Sequence, residues 1–225
     1  MTPYLEAFIR LFYPCFCETC GKPLETRERA LCPGCAEGLK TFRLSLDDTH
    51  TDLGAPETGQ SWALYSYEGP VRQLLGACKF SDKPWILEAF RQSLQETAAL
   101  IRSEVRHDLA IPMPGGDLTS PLTGILAAQL QISVCNTTLI KKNRYPQRLL
   151  NREQRQFNLL GAFHIRKPET IRGRSVLLVD DIGTTGSTAR EAAACLKEAG
   201  AKNVDLLVLA RTPEAGQSVE EVSFS

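Results

Sequence analysis

One run of residues in the C-terminal part constrains the fold of this chain more than any other feature. Ser175-Val-Leu-Leu-Val179 is apolar with almost no polar alternation, as in a strand that is covered on both faces of its sheet. Asp180 and Asp181 follow at once, and a loop rich in glycine and hydroxyl side chains comes next. Residues 187–198 then place alanine and leucine at helical spacing ahead of Gly200, which suits a helix C-cap. A strand, a loop and a helix in this order indicate a parallel α/β sheet.

The remainder of the chain alternates in the same way. Apolar runs predict strands at 62–67, 109–113, 159–165, 175–179 and 204–209, and periodic patterns predict helices at 71–80, 85–102, 122–130 and 187–198. This alternation predicts a parallel sheet with helices on both faces. Residues 41–60 are rich in Asp, Thr, Gly and Pro without a period, which predicts a linker. We therefore expect an N-terminal helix and metal module over 1–45 and an α/β domain over 61–225.

The loop after the two acids has the composition of an anion-binding cradle. Gly183 and Gly186 allow tight turns that point successive N–H groups into one concavity, and the start of the next helix adds its positive dipole end. Asp180 and Asp181 would repel a phosphate, but they suit the vicinal hydroxyls of a sugar. The run therefore predicts a ligand that carries both a sugar and a phosphate. In open parallel sheets such ligands bind beyond the carboxyl ends of the strands.

Three other interpretations of this run explain less of it. A P-loop ATPase needs Gly-Lys-Ser/Thr, and the loop has no lysine. A dinucleotide-binding fold needs GxGxxG after its first strand, and the sequence has no such motif. An ordinary turn with an Asp N-cap accounts for one acid and one glycine, whereas the run has two of each and four hydroxyl residues.

Two CxxC pairs near the N-terminus predict a metal site. Cys17 and Cys20 form the first pair, and eleven residues separate them from Cys32 and Cys35. Two such knuckles can supply four thiolates to one tetrahedral zinc ion, and because no position stays open the zinc is expected to be structural. A redox dithiol needs only one pair. Cys15 is a spare thiol and an alternative ligand.

The remaining cysteines and the N-terminal residues indicate the cellular compartment of the protein. Cys78, Cys135 and Cys195 lie in apolar stretches, as reduced core thiols do in cytosolic proteins. The first fourteen residues have apolar side chains at helical spacing but lack the basic start of a signal peptide. No stretch approaches the roughly 20 apolar residues of a membrane span. We expect a cytoplasmic protein without membrane insertion.

One basic segment departs from the overall charge balance of 26 basic and 26 acidic residues. Its members are Lys141, Lys142, Arg144, Arg148, Arg152 and Arg155. Residues 108–140 before it contain no Lys, Arg or His. Charge runs are usually solvated faces. Here the position before the acidic strand also suits a flap that closes over a diphosphate, and a surface for single-stranded DNA is a third interpretation.

Residues 176–188 resemble the thirteen-residue signature of type I phosphoribosyltransferases, which bind phosphoribosyl diphosphate (PRPP). The resemblance implies a parallel-sheet type I phosphoribosyltransferase fold and PRPP bound together with Mg²⁺. It implies that Asp180 and Asp181 are the catalytic pair and contact the ribose hydroxyls. It further implies that the 5′-phosphate is bound by Thr184, Thr185, Gly186, Ser187 and Thr188.

Together with the cysteine pairs, the resemblance extends to the ComF family, which is associated with bacterial competence and DNA utilisation. The shared segments are 11–14, 67–71, 79–80, 207–212 and a pattern of single residues between 147 and 163. One segment departs from that family. Where the family has an arginine-rich stretch at the diphosphate position, this chain has Gly115-Gly-Asp-Leu-Thr-Ser-Pro121.

Two functional classes follow from the resemblance. Because residues 115–121 contain no basic side chain, they favour a mainly non-catalytic protein that binds PRPP or a nucleoside monophosphate. Such a protein would act in DNA uptake or utilisation, with single-stranded DNA or DNA-uptake proteins as candidate partners. The alternative is an active phosphoribosyltransferase that transfers ribose 5-phosphate from PRPP to an acceptor with Mg²⁺. No residue cluster in the sequence identifies the acceptor.

Overall fold

The computed structural model describes residues 15–25, 28–45, 49–50, 55–81, 83–136, 138–141 and 162–213. Its strands are β1 (Ser61–Ser66), β2 (Leu109–Pro112), β3 (Ser133–Val134), β4 (Leu139–Lys141), β5 (Phe163–Ile165), β6 (Ser175–Gly183) and β7 (Asn203–Arg211). Its α-helices are α1 (Pro33–Lys40), α2 (Gly69–Ser81), α3 (Arg91–Glu104), α4 (Thr119–Leu130) and α5 (Ser187–Glu198). Two 3-10 helices cover Pro84–Phe90 and Pro168–Thr170.

The main sheet has five strands in the order β1-β7-β6-β2-β3, and all of its neighbouring strands run parallel. Helices connect these strands, with α4 between β2 and β3 and α5 between β6 and β7. β4 and β5 form a separate antiparallel pair. The predicted parallel α/β architecture is therefore confirmed.

The central strand β6 is covered on both faces. Leu177 and Val179 belong to one core with residues of α2, α3 and α4, whereas Val176 and Leu178 belong to a second core with residues of α5. All four side chains are fully buried. Burial on both faces explains why this strand is apolar without alternation.

The cysteine-rich segment packs on the same core as the sheet. Leu24, Leu31 and Leu39 are buried together with the α2–α4 side of the sheet. The chain then runs antiparallel to β1, where Ser66 N–H donates to the carbonyl of Phe42 at 2.8 Å. The beginning of the predicted linker thus covers the outer edge of β1. The division into units at residues 45 and 61 remains a prediction.

The observed elements differ from the expected ones in a few places. The helix predicted at 85–102 is a 3-10 helix followed by α3, and its tighter winding brings Leu87 and Phe90, both buried, onto one side. The short strands β3 and β4 carry too few residues for a recognisable period. The strand predicted at 159–165 begins at Phe163, and 159–161 lie outside the described residues. Within the described residues, no helix combines the length and apolar character needed to cross a membrane.

Candidate functional site

A cavity of about 290 Å³ lies at the carboxyl ends of the neighbouring strands β2 and β6. Its wall is made by Met113, Pro114, Gly115, Gly116, Asp117, Lys141, Asp180, Asp181 and Thr188. The turn after β2 supplies most of this wall, the end of β6 supplies the two acids, the start of α5 supplies Thr188, and the end of β4 supplies Lys141. The cavity therefore occupies the edge of a parallel sheet at which ligands bind.

The two predicted acids stand together at the end of β6. Asp180 is half-buried, and Asp181 is only 6% exposed. The backbone N–H of Asp181 donates to Oδ1 of Asp180 at 2.9 Å, which holds the first carboxylate close to the main chain. Both residues line the cavity, so two acceptor groups are presented side by side to anything bound there.

Residues 180–187, which we call the acid loop, contain the two acids and the turn that leads directly into α5. Gly186 is the N-cap residue and has a left-handed backbone with φ of 69°, which a residue with a side chain rarely adopts. The hydroxyls of Thr185 and Ser187 lie 3.0 Å apart in this turn. Of the five residues predicted to bind phosphate, Thr188 lines the cavity, and the other four form the turn that leads to it. Their assigned roles remain predictions.

The opposite wall of the cavity is a glycine turn after β2. Gly115 has φ of 102°, and a Cβ added to it would lie 3.9 Å from Cδ of Lys141. A Cβ added to Gly116 would lie 3.1 Å from Cγ2 of Thr119 and 3.8 Å from Oδ2 of Asp181. The positive φ of Gly115 and the tight contact of Gly116 with Thr119 therefore favour glycine in this turn, which faces both the lysine stem and Asp181. Lys141 was predicted as part of the basic segment, but its place in this wall depends on the β4–β5 pairing.

The charge of the cavity wall is unbalanced. The wall contains three carboxylates, from Asp117, Asp180 and Asp181, and one ammonium, from Lys141. A sugar with free hydroxyls suits such a wall, because carboxylates accept its hydrogen bonds. A diphosphate requires more positive charge than the wall itself supplies.

A second site is formed by the four cysteines of the CxxC pairs. The Sγ atoms of Cys17, Cys20, Cys32 and Cys35 all lie within 4.8 Å of one another. Cys20 Sγ and Cys32 Sγ are 3.7 Å apart. Tetrahedral zinc with Zn–S bonds of about 2.3 Å needs sulfur atoms about 3.8 Å apart. The cluster can therefore hold a metal ion, and Cys15 is not part of it.

Two thiols of this cluster, those of Cys17 and Cys35, have pKa values that are shifted in opposite directions. Burial raises the pKa of Cys17, but backbone N–H groups of Cys20, Cys32 and Thr19 bring it down to about 7. Burial and the neighbouring thiols raise the pKa of Cys35 well above its ordinary value. Four thiols at this distance repel one another when ionised, and a cation between them removes that repulsion.

The first cysteine knuckle is connected to the sheet domain through Glu18. Its carboxylate accepts a hydrogen bond from Nζ of Lys83 at 2.7 Å and lies 3.4 Å from Nε1 of Trp85. Burial, together with the charges of Glu18 and Asp181, raises the pKa of the Cys78 thiol in α2 to about 11. Cys78 is thus within electrostatic reach of both the knuckle and the acid loop. Sequence periodicity could not indicate these contacts, because the partners lie far apart in the chain.

Lys141 is the member of the basic segment that the structure describes. The others, Lys142, Arg144, Arg148, Arg152 and Arg155, lie outside the described residues. Lys141 contributes to the wall of the cavity. The interpretation of the rest remains a prediction.

Comparisons with known proteins agree with this architecture. Residues 118–224 match the phosphoribosyl transferase domain family. Competence protein ComFC of Bacillus subtilis (strain 168) is 26% identical over 203 residues, covering 87% of this chain and 78% of that protein. DNA utilization protein YhgH of Shigella flexneri is 27% identical over 237 residues, covering 90% of this chain and 99% of that protein.

A third relative is an enzyme by name. Uracil phosphoribosyltransferase of Oceanobacillus iheyensis is 28% identical over 153 residues, covering 62% of this chain and 73% of that protein. The full-length similarities, the matched domain and the cysteine cluster confirm the resemblance inferred from the sequence. The chain is a homologue of the ComF-type competence and DNA-utilisation proteins, with a type I phosphoribosyltransferase fold and a four-cysteine cluster that can form a zinc module.

Proposed function

We propose that the cavity between β2 and β6 binds the ribose 5-phosphate part of PRPP or of a nucleoside monophosphate. We further propose that the protein acts mainly as a non-catalytic binding protein in DNA uptake or utilisation. The observation that carries the first proposal is that Asp180, Asp181 and Thr188 line one cavity. The names of the relatives, competence protein and DNA utilization protein, support the second.

The two halves of the ligand match two kinds of group in the site. Asp180 and Asp181 offer adjacent acceptors for the vicinal ribose hydroxyls. The hydroxyl of Thr188, together with the backbone N–H groups at the start of α5, suits the phosphate. Thr184, Thr185, Gly186 and Ser187 form the turn between the acids and this helix start, and we assign them to the same phosphate.

The unbalanced charge of the wall favours binding over catalysis. An enzyme of this fold must hold a diphosphate as it leaves, and the Gly115–Gly116 turn brings no cationic side chain to it. Asp117 adds a further negative charge beside this turn. A ligand with a single phosphate therefore fits the described wall better than one with an additional diphosphate.

The alternative is an active phosphoribosyltransferase. Lys141 favours it, because its ammonium reaches the same wall from β4 and can offset part of a diphosphate charge. The similarity to a protein named uracil phosphoribosyltransferase also supports it. Mg²⁺ would supply the remaining countercharge, and Asp117, Asp180 and Asp181 offer the oxygen ligands that this ion prefers.

We assign zinc to the four-cysteine cluster as a structural ion. The sulfur spacing suits tetrahedral zinc, and four protein ligands leave no position for a substrate. We also retain single-stranded DNA or DNA-uptake proteins as candidate partners of the basic segment that begins at Lys141. We assign the protein to the cytoplasm on the distribution of its cysteines.

Calorimetric titration with PRPP and Mg²⁺, and separately with ribose 5-phosphate and nucleoside monophosphates, tests the proposal. We expect saturable binding of the monophosphates and no diphosphate release when PRPP is offered together with each nucleobase. Diphosphate release with one base would establish the enzyme instead. Absence of binding by every phosphorylated ribose would remove both functions from this cavity.

A further inference from the structure

Five exposed cationic residues lie at the amino-terminal edge of the main sheet, opposite the ligand cavity. Lys202 precedes β7, Arg172 and Arg174 precede β6, Arg106 precedes β2, and Arg102 lies in the last turn of α3. They come from three separate parts of the sequence, so no run of charged residues in the sequence indicates this surface. We call these five residues the basic edge.

Strand order makes the basic edge continuous. β7, β6 and β2 are direct neighbours, and the backbone N–H of Lys202 donates to the carbonyl of Arg174 at 2.8 Å. On the other side of β6, the N–H of Asp108 donates to the carbonyl of Ser175 at 2.8 Å. Parallel strands are about 4.8 Å apart, so Lys202, Arg174 and Arg106 span a row of roughly 10 Å.

The acids nearest in sequence to this row have other partners. Asp108 accepts the N–H of Ser175, Glu104 contacts His50, and Asp205 contacts His107. Among the described residues, no carboxylate lies within ion-pair distance of any member of the basic edge. Arg102 has a partner of a different kind, because its Nη1 donates to the Gln129 carbonyl at the negative, C-terminal end of the α4 dipole. The remaining four are exposed without a carboxylate from the described chain.

A cavity of about 390 Å³ lies at the Arg102 end of the basic edge. Arg102, Arg106 and Gln131 supply polar groups to its wall, and Val105, Leu130 and Ile132 supply apolar ones. Guanidinium planes and apolar side chains stack on the faces of nucleobases, and a glutamine amide can donate to and accept from a base edge. The cavity therefore has the chemistry to receive an unpaired base.

We infer that the basic edge binds single-stranded nucleic acid, with backbone phosphates along the row and a base in the adjoining cavity. Four of its five cations are arginines, whose planar forks suit phosphate oxygens. An anionic membrane fits less well, because interfacial binding also uses apolar side chains. The exposed large hydrophobic residues of the described chain, Phe16 and Trp85, lie at the cysteine module instead.

The inference stands apart from the proposed PRPP function, since the basic edge and the acid loop occupy opposite ends of β6. It is tested by fluorescence anisotropy of a labelled oligo-dT of about twenty nucleotides, a length that exceeds the usual site size. We expect binding to weaken between about 50 and 200 mM salt. The logarithm of the binding constant should fall against the logarithm of the salt concentration with a slope of roughly −2 to −3. An unlabelled duplex of equal length should compete poorly, because its bases are paired.

The decisive variant replaces Arg106, Arg174 and Lys202 by Gln. It should bind the oligonucleotide at least about tenfold more weakly at low salt and flatten the slope by about two units. A control variant replaces Lys22, Lys40 and Arg72 by Gln, which removes the same charge from exposed positions elsewhere. The control should bind within about twofold of the wild type, and both variants should keep the wild-type affinity for ribose phosphates.

Several results would overturn the inference. These are equal weakening in the two triple variants, no binding of oligo-dT by the wild type at low salt, and displacement by poly-glutamate as effective as displacement by oligo-dT. Loss of binding only when Lys142, Arg144 and Arg148 are replaced would assign the DNA to the basic segment instead. A wild type that binds oligo-dT but no ribose phosphate would contradict the proposed function and leave the basic edge intact.

Discussion

Nε2 of His107 lies 2.8 Å from Oδ2 of Asp205, and both side chains are 1% exposed. The contact joins the residues before β2 to β7, although β6 lies between these two strands. Asp205 also accepts the backbone N–H of Gln60 at 2.7 Å and the amide of Asn203 at 2.9 Å. One buried carboxylate thus ties together three segments at the amino-terminal edge of the sheet.

We expect Asp205→Asn to lower the free energy of unfolding at pH 7 by about 3 kcal/mol, as when one partner of a buried pair is removed. Burial raises the pKa of Asp205, but the hydrogen bonds from His107 and Gln60 outweigh it, so the folded pKa lies below the ordinary value. Because the folded pKa is depressed, the ionised carboxylate stabilises the folded protein at pH values above the unfolded pKa of about 3.9. This stabilisation is lost as the pH falls through the folded pKa.

The difference between wild type and Asp205→Asn should therefore shrink as the pH is lowered below about 4. Urea denaturation at neutral and acid pH measures it. Glu37→Gln serves as the control, because Glu37 is exposed and its pair with Lys40 is a surface contact. Equal stability of wild type and Asp205→Asn at neutral pH would contradict the prediction.

The acid pair should govern ligand affinity. Asp180→Asn combined with Asp181→Asn should weaken binding of PRPP or a nucleoside monophosphate by roughly 2–4 kcal/mol, since hydrogen bonds to charged groups contribute about 1.5–3 kcal/mol each. Calorimetry measures the affinity, and circular dichroism checks that the fold is kept. A folded double variant with unchanged affinity would refute the ribose assignment.

The cysteine cluster should hold about one zinc per chain. Cys20→Ser should lose the metal, whereas Cys15→Ser should retain it, because Cys15 is outside the cluster. The module shares its apolar core with the sheet, so loss of zinc should also lower the unfolding temperature of the whole described domain. Elemental analysis and calorimetry report the two effects. Full zinc retention in Cys20→Ser would show that the ligand set is wrong.

Lys141 should contribute to anion binding in the cavity. Lys141→Gln is expected to weaken PRPP binding by about 1.5–3 kcal/mol and to affect a nucleoside monophosphate less, because the diphosphate carries more charge. Lys167→Gln is the matched control, since Lys167 is exposed outside the cavity wall. Identical effects of the two substitutions would mean that Lys141 acts only through the general charge of the protein.

Gly69 should be required where the cysteine module meets the sheet. It has φ of 44°, and a Cβ at this position would lie 2.6 Å from Cζ of the buried Phe42. Gly69→Ala should destabilise the protein by about 1–3 kcal/mol. Gly76→Ala in the same helix meets no atom within 4 Å and should stabilise it by about 0.5–1 kcal/mol. Thermal unfolding measures whether Gly69→Ala is less stable, and Gly76→Ala more stable, than the wild type.

Local chemistry made much of the candidate site predictable. Asp180, Asp181 and the turn to α5 follow one another in the chain, so strand, loop and helix could be inferred from one run of residues. The four thiols were predictable for the same reason, because each CxxC pair is a local chelate. The split of the predicted helix at 85–102 was missed, because Leu87 and Phe90 are buried in a core built from residues far apart in the chain, which the local pattern does not reveal.

By itself, the sequence determined the parallel α/β class, the acid loop at the end of a buried strand and the four-cysteine cluster, because each depends on near neighbours in the chain. Only the tertiary structure decided that Lys141 enters the cavity wall and that the cysteine module shares the core of the sheet. It also brought Arg106, Arg174 and Lys202 into one row. These placements follow from strand order and long-range packing, which local periodicity does not encode.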